Sequence, residues 1–125
     1  MSSFNNYEPI YKQLMDRICS DIIRGSRQAG EKLPSVREFA VDVGVNMNTI
    51  QRVYQELERI GIVETKRGQG TFVTENINEI DQQRTVMKKQ YVKEFIRNMK
   101  SMGYTVEEMM ESIQEVEESR DDSNR

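Results

Sequence analysis

The 125-residue sequence predicts a mainly α fold with one small β-hairpin, and three consecutive segments between residues 33 and 73 carry that expectation. Leu33-Pro34-Ser35-Val36-Arg37-Glu38 opens a short helix, Asn46-Met47-Asn48-Thr49 opens a second, and Lys66-Arg67-Gly68-Gln69-Gly70 punctuates a hairpin. Two short helices followed by a basic hairpin outline a winged helix-turn-helix, which sets one helix in the DNA major groove and the hairpin beside it.

From Pro9 to Arg24, Tyr11, Leu14, Ile18 and Ile22 recur at helical spacing, with Ile10, Met15, Cys19 and Ile23 widening the stripe. Pro9 suits a first helical turn and Gly25 a stop. Ser26 to Lys32 reads as loop, with a turn at Ala29-Gly30-Glu31. Ser35 and Glu38 form a Ser-x-x-Glu capping box, Val36, Phe39, Ala40 and Val43 give the buried face, and Gly44 ends that helix. Only Gly44-Val45 precedes the next N-cap, Asn46, so the two helices must meet at a sharp angle. Ile50, Val53, Tyr54, Leu57 and Ile60 make the following stripe, which Gly61 closes. Ile62 to Thr65 and Thr71 to Thr74 are β-branched runs joined by the glycine-containing loop.

A long helix is expected from Asn76, with Ile77, Ile80, Met87, Tyr91, Phe95, Met99 and Met102 on one face and Arg84 interrupting it, until Gly103 breaks the pattern. Thr105-Val106-Glu107-Glu108 is a second capping box, opening a helix with Val106, Met109, Met110, Ile113 and Val116 on one side. Two helices cannot bury both stripes against each other alone, so an exposed face remains for a partner. The residues expected there are Met87, Tyr91, Phe95, Met99, Met102, Met109, Met110 and Ile113. The expected organisation is a winged helix over 1–75, an N-terminal DNA-binding domain; a C-terminal two-helix dimerisation appendage over 76–118; and a polar, disordered tail over 119–125.

Composition narrows the function classes. No apolar stretch is long enough to span a bilayer, and Met1-Ser2-Ser3-Phe4-Asn5-Asn6 has neither the basic end nor the apolar run of a secretory signal, so the cytoplasm is the expected location. With no histidine and Cys19 as the only cysteine, an internal disulfide is impossible and a zinc site would have a poor ligand set. Ser-His and Cys-His catalysis are equally unavailable. Neither an enzyme nor a cofactor site is expected. The net charge of −3 is unevenly placed: residues 1–75 hold 10 Lys/Arg against 10 Asp/Glu, and residues 76–125 hold 8 against 11. A balanced domain binds DNA when its cations converge on one face.

Docking of the stripe of the Asn46 helix turns Asn48, Thr49, Gln51, Arg52 and Gln55 outward. Amides and guanidinium groups can bond bidentately to adenine or guanine edges, and Thr can meet a thymine methyl or a phosphate. The alternative is a solvated face; the absence of acids from Asn46 through Gln55 favours DNA. Ser35 and Arg37 sit in a first helical turn, whose free N–H groups and dipole attract phosphate, although Ser35 is also a plain cap and Arg37 suits a surface ion pair. Lys66, Arg67, Gly68 and Gln69 would form the wing tip, where arginine fits a narrow minor groove and the other outcome is simple solvation.

The remaining candidates have structural readings. Cys19 lies on a helical stripe as a small core residue rather than a redox sensor, and the methionines fall where they pack. Glu107, Glu108 and Glu111 favour a helix dipole over a cation site. Lys89, Lys93, Arg97 and Lys100 on one helix and Glu111, Glu115 and Glu118 on the next are placed to pair within or between subunits.

From about Tyr7 to Thr74 the chain strongly resembles the GntR family of bacterial transcription regulators. The resemblance lies in Pro9-Ile10-Tyr11 with Gln13, Leu33-Pro34-Ser35-Val36-Arg37-Glu38, Gly44-Val45-Asn46-Met47-Asn48-Thr49, Tyr54-Gln55-Glu56-Leu57 and Gly68-Gln69-Gly70-Thr71-Phe72-Val73. It implies a winged helix that binds double-stranded operator DNA as a homodimer, with repression of transcription as the expected outcome. By position, Arg37, Asn48, Thr49, Gln51 and Arg52 match the DNA-contacting region of the family, as do Arg67 and Gly68 of the wing. Met47 departs from the proline of many relatives and from the DNA-touching arginine of others. The short remainder looks like the YtrA subfamily, whose small helical appendage dimerises and whose members commonly regulate neighbouring transporter genes. No effector pocket is recognisable. A winged helix that binds protein in place of DNA is the second reading, and a steep fall of affinity with salt separates the two.

Overall fold

The computed structural model describes residues 4–5 and 7–123. Its elements are α1 (Ile10–Arg24), α2 (Val36–Val43), α3 (Met47–Arg59), β1 (Val63–Lys66), β2 (Gly70–Val73), α4 (Ile77–Ser101) and α5 (Val106–Ser123). The chain divides into two compact units after Arg84.

In the first unit α3 is the central element, packed on α1, α2 and β1. The apolar residues predicted from helical spacing and from the β-branched runs meet there: Leu14 and Ile18 from α1, Ile50, Val53 and Leu57 from α3, Ile62 just before β1, and Val63 and Val73 from the hairpin are fully buried. Burying side chains of this size contributes about 1.5–3 kcal/mol each. Cys19 joins this core, and burial, with the charge of Asp16 second, pushes its thiol up to about 12. Ile10 and Ile60, assigned to the stripes, lie at helix ends and are exposed and half-buried. Pro9 offers α1 no side-chain cap; instead Gln13 is buried, donating from Nε2 to the carbonyls of Asn5 and Glu8 while its Oε1 accepts from the Asn5 N–H.

The short connection between α2 and α3 forms as expected. Gly44 adopts φ 68°, a left-handed value that is costly for other residues, and the Val45 N–H donates back to Ala40. The Asn46 side chain then caps α3 by accepting from the Asn48 N–H at 2.7 Å.

β1 and β2 pair antiparallel from Val63 opposite Val73 to Lys66 opposite Gly70. The first strand therefore lies one residue later than predicted, because the Ile62 N–H still donates to Leu57 at the end of α3. Lys66 becomes a strand residue, leaving Arg67, Gly68 and Gln69 as the loop. Residues 31–33, of which the first two are expected as loop, supply a further edge: Lys32 bridges Phe72, Leu33 N–H donates to Thr71, and Val73 N–H donates to Glu31.

The first unit extends past residue 75 because the opening turns of α4 are tied to it. Ile80 is buried, Gln83 Nε2 donates to the Ile60 carbonyl, and Arg84 Nη2 donates to the Ile23 carbonyl at 2.6 Å. That bond explains a cation in the apolar stripe: it satisfies a carbonyl at the end of α1.

The second unit holds the rest of α4 and α5. Thr105 and Glu108 form the predicted capping box. Where a disordered tail is expected from residue 119, helix continues through Ser123; Arg120 tolerates helix well and lies 3.8 Å from Glu117, one turn back. Residues 124–125 lie outside the described residues. No helix among the described residues is long and apolar enough to cross a membrane.

Candidate nucleic-acid interface

Burial of Ile50, Val53, Tyr54 and Leu57 leaves Met47, Asn48, Gln51, Arg52 and Gln55 exposed on α3, with Thr49 half-buried. No acid interrupts this surface. The first carboxylates along the helix are engaged further down it: Glu56 accepts from Arg59 Nε at 2.9 Å, and Glu58 accepts from the Thr65 hydroxyl at 2.9 Å.

At the start of α2 the capping box is complete. Ser35 Oγ accepts from the Glu38 N–H at 3.1 Å, and Glu38 Oε1 accepts from the Ser35 N–H at 3.0 Å. The backbone N–H of Ser35, then its hydroxyl, hold the Glu38 carboxyl below its ordinary value. Ser35 thus spends its side chain on the helix, and a carboxylate shares the turn where a phosphate was expected. Arg37 beside it is exposed.

Ser35 and Gln69, far apart in sequence, line one groove of about 330 Å³ together with Lys32, Tyr54, Gly70 and Thr71. Lys32 was not among the sequence candidates. Its stem lies against Gly70, where an added Cβ would stand 2.9 Å from Lys32 Cε. Tyr54 anchors the floor: its hydroxyl donates to the Pro34 carbonyl at 2.6 Å, and burial pushes its own titration up to about 12.

At the wing, Gly68 takes φ 78° and the Gln69 N–H donates to Lys66, so glycine supplies the positive φ of the turn. Arg67, Gly68 and Gln69 are exposed there. Lys66, expected at the tip, instead stands in β1 with Nζ 4.7 Å from the Phe72 ring centroid.

Arg52 has a neighbour that helical spacing concealed. Its guanidinium lies over the ring of Tyr11, 3.8 Å from the centroid. Tyr11 was assigned only to the stripe of α1 and is half-buried. No signal within α3 could have shown this pairing, because the partner lies on another helix.

In the second unit Tyr91, Phe95, Met102, Met110 and Ile113 are exposed, while Met87 and Met99 are half-buried. Met109 is 2% exposed, so it is a packing residue within one chain and presents nothing to a partner, contrary to the sequence reading. Phe95, Met99, Ile113 and Val116 line an apolar groove of about 370 Å³. Among the described residues, no ion pair joins Lys89, Lys93, Arg97 or Lys100 to Glu111, Glu115 or Glu118 within the chain, and no group of three or more acids or thiols is placed to hold a metal ion.

Comparison with known proteins agrees with this geometry. The family described as "Bacterial regulatory proteins, gntR family" matches residues 10–73. The chain is 46% identical over 112 residues to the uncharacterized HTH-type transcriptional regulator YhcF of Bacillus subtilis, covering 90% of this chain and 93% of that one. It is 38% identical over 110 residues to the HTH-type transcriptional repressor YtrA of the same organism, covering 86% and 84%. A solved GntR family transcriptional regulator from Listeria monocytogenes superimposes with a TM-score of 0.81 at 39% identity, covering 90% of this chain and 98% of the other. Structures of AraR in complex with operator DNA match more distantly, with a TM-score of 0.52. These relatives are named as transcription regulators. The chain belongs to the GntR family of helix-turn-helix transcription regulators, whose winged helix binds DNA.

Proposed function

We propose that the protein represses transcription from the cytoplasm by binding, as a homodimer, an operator with two-fold symmetry, one half-site per winged helix. The observation that carries this reading is the exposed, acid-free opening of α3, where Asn48, Gln51, Arg52 and Gln55 stand clear of the core. These side chains can meet base edges, while Arg37, Lys66, Arg67 and Gln69 supply the flanking contacts to the backbone. Ser35 contributes by holding the first turn of α2 in shape. Repression is supported by likeness to YtrA, named as a repressor. Transporter genes beside its own are the proposed targets.

Dimerisation is supported by the apolar surface of the second unit. Tyr91, Phe95, Met102, Met110 and Ile113 are too much exposed apolar area for an isolated helix pair in water. The basic face of α4 and the acidic face of α5, unpaired with each other within one chain, suit ion pairs across a two-fold axis.

Selection of preferred sites from random duplex DNA by the purified protein tests the whole reading. Inverted repeats with half-sites about one helical turn apart, or a multiple of it, are expected. Binding should weaken steeply with salt as counterions are recaptured. Enrichment of no motif, or affinity indifferent to salt, would overturn it.

A further inference from the structure

We propose that Tyr11 is a positioning residue for DNA recognition: its ring holds the Arg52 guanidinium flat, so that arginine reaches a base edge already oriented. This rests on α3 being the groove-entering helix. The two residues lie on different helices, and the guanidinium carbon is 3.8 Å from the ring centroid, which is cation–π contact.

The surroundings of the stack make it the partner of choice. Glu56, one turn along α3, is where an (i, i+4) ion pair with Arg52 would form, but it is taken by Arg59 through Nε at 2.9 Å and Nη2 at 2.8 Å. Glu58 is held by Thr65, and Glu8 near the start of α1 lies 3.8 Å from Lys12. Among the described residues no carboxylate or carbonyl takes the Arg52 N–H groups. Stacking uses only the flat faces of the guanidinium. A guanidinium lying flat on a ring keeps its five in-plane donors free for the O6 and N7 acceptors of guanine.

An unheld arginine is immobilised only when DNA binds, and the cost of ordering one such side chain corresponds to about two- to ten-fold in Kd. A ring that has already ordered it removes part of that cost for the correct base.

The test measures Kd of the full chain for its selected site and for every single-base variant, using Tyr11→Phe, Tyr11→Leu, Arg52→Ala and the Tyr11→Leu/Arg52→Ala double variant. Tyr11→Phe keeps the ring and should bind within about two-fold of the parent. Tyr11→Leu should bind the selected site about two- to ten-fold more weakly, with the loss concentrated at the base pair whose preference Arg52→Ala relaxes. The double variant should match Arg52→Ala alone. A Tyr11→Leu loss that persists in the Arg52→Ala background, or spreads evenly over all sites, sinks the platform and leaves the groove assignment standing. Arg52→Ala with parental affinity and preference removes Arg52 from the groove and ends both ideas. A DNA-free readout guards against misfolded variants: the Arg52 Nε–H resonance should be shifted by the ring current in the parent and Tyr11→Phe and lose that shift in Tyr11→Leu. Its absence from the parent overturns the stack itself.

Discussion

The hydroxyl of Tyr54 on α3 donates a 2.6 Å hydrogen bond to the carbonyl oxygen of Pro34, just before α2, and its ring tilts 52° against Phe39 at 6.1 Å. One side chain therefore ties α3 to the entry of the helix before it. Tyr54→Phe keeps the ring and deletes the bond, leaving the Pro34 carbonyl unpaired. Urea denaturation should show a loss of about 0.5–1.5 kcal/mol. An unchanged midpoint would mean the hydroxyl contributes nothing.

Alkali should destabilise the fold through Tyr54 and Cys19. Both groups titrate near 12 when folded, against ordinary values of 10.0 and 9.0. Because the folded values are raised, this stabilisation is complete below pH 9, starts to be lost as the unfolded thiol and then the unfolded phenol ionise, and is gone once pH passes 12. The urea midpoint should fall between pH 9 and 11, and less steeply in Tyr54→Phe.

Ser35→Ala should cost about 1 kcal/mol of stability, the usual worth of an N-cap. The reciprocal bond from Ser35 to Glu38 lowers the carboxyl of that residue, so its contribution holds above the ordinary carboxylate value and disappears as pH drops through the folded one. Glu38→Gln should blunt that acid sensitivity in thermal melts. A Ser35→Ala protein with parental stability would contradict the cap.

In the wing, Arg67→Ala should weaken binding to all duplexes alike and reduce the salt slope by about one. Lys66→Ala should act in the same direction with a smaller change of slope, because its ammonium sits over Phe72. Equal slopes for both variants would show that the ring does not restrain the lysine.

Phe95→Glu and Ile113→Glu should each dissociate the proposed dimer without unfolding the chain, since both positions are exposed in a single protomer. Sedimentation equilibrium reads the change directly, and operator affinity should fall with it. Retained dimers would place the contact elsewhere. A dimer constant indifferent to salt would exclude the α4 and α5 charges as its source.

The parts of the molecule legible in the sequence are those whose partners lie within a few residues. Both capping boxes, Ser35 with Glu38 and Thr105 with Glu108, follow from an (i, i+3) rule, and the Gly44 turn follows from a need for positive φ. Helical spacing likewise placed Leu14, Ile50 and Leu57 in the core. What stayed hidden depends on tertiary placement. Arg84 looked like a fault in a stripe until the Ile23 carbonyl, 61 residues away in sequence, came within reach. Lys32 read as loop because its strand partner, Phe72, is set by the fold of the hairpin. Tyr11 read only as stripe because nothing local ties it to Arg52. Met109 and Met110 are adjacent in sequence, and only packing decides that the first is enclosed and the second is not.

The sheltered thiol of Cys19 has a practical sequel. A maleimide dye added at neutral pH should pass over the native protein, so a cysteine placed at Gln69 or Val116 would be the sole attachment point with no need to delete the original. Fluorophores at those two positions would let the hairpin tip and the second helix of the appendage be watched separately while operator is captured and released.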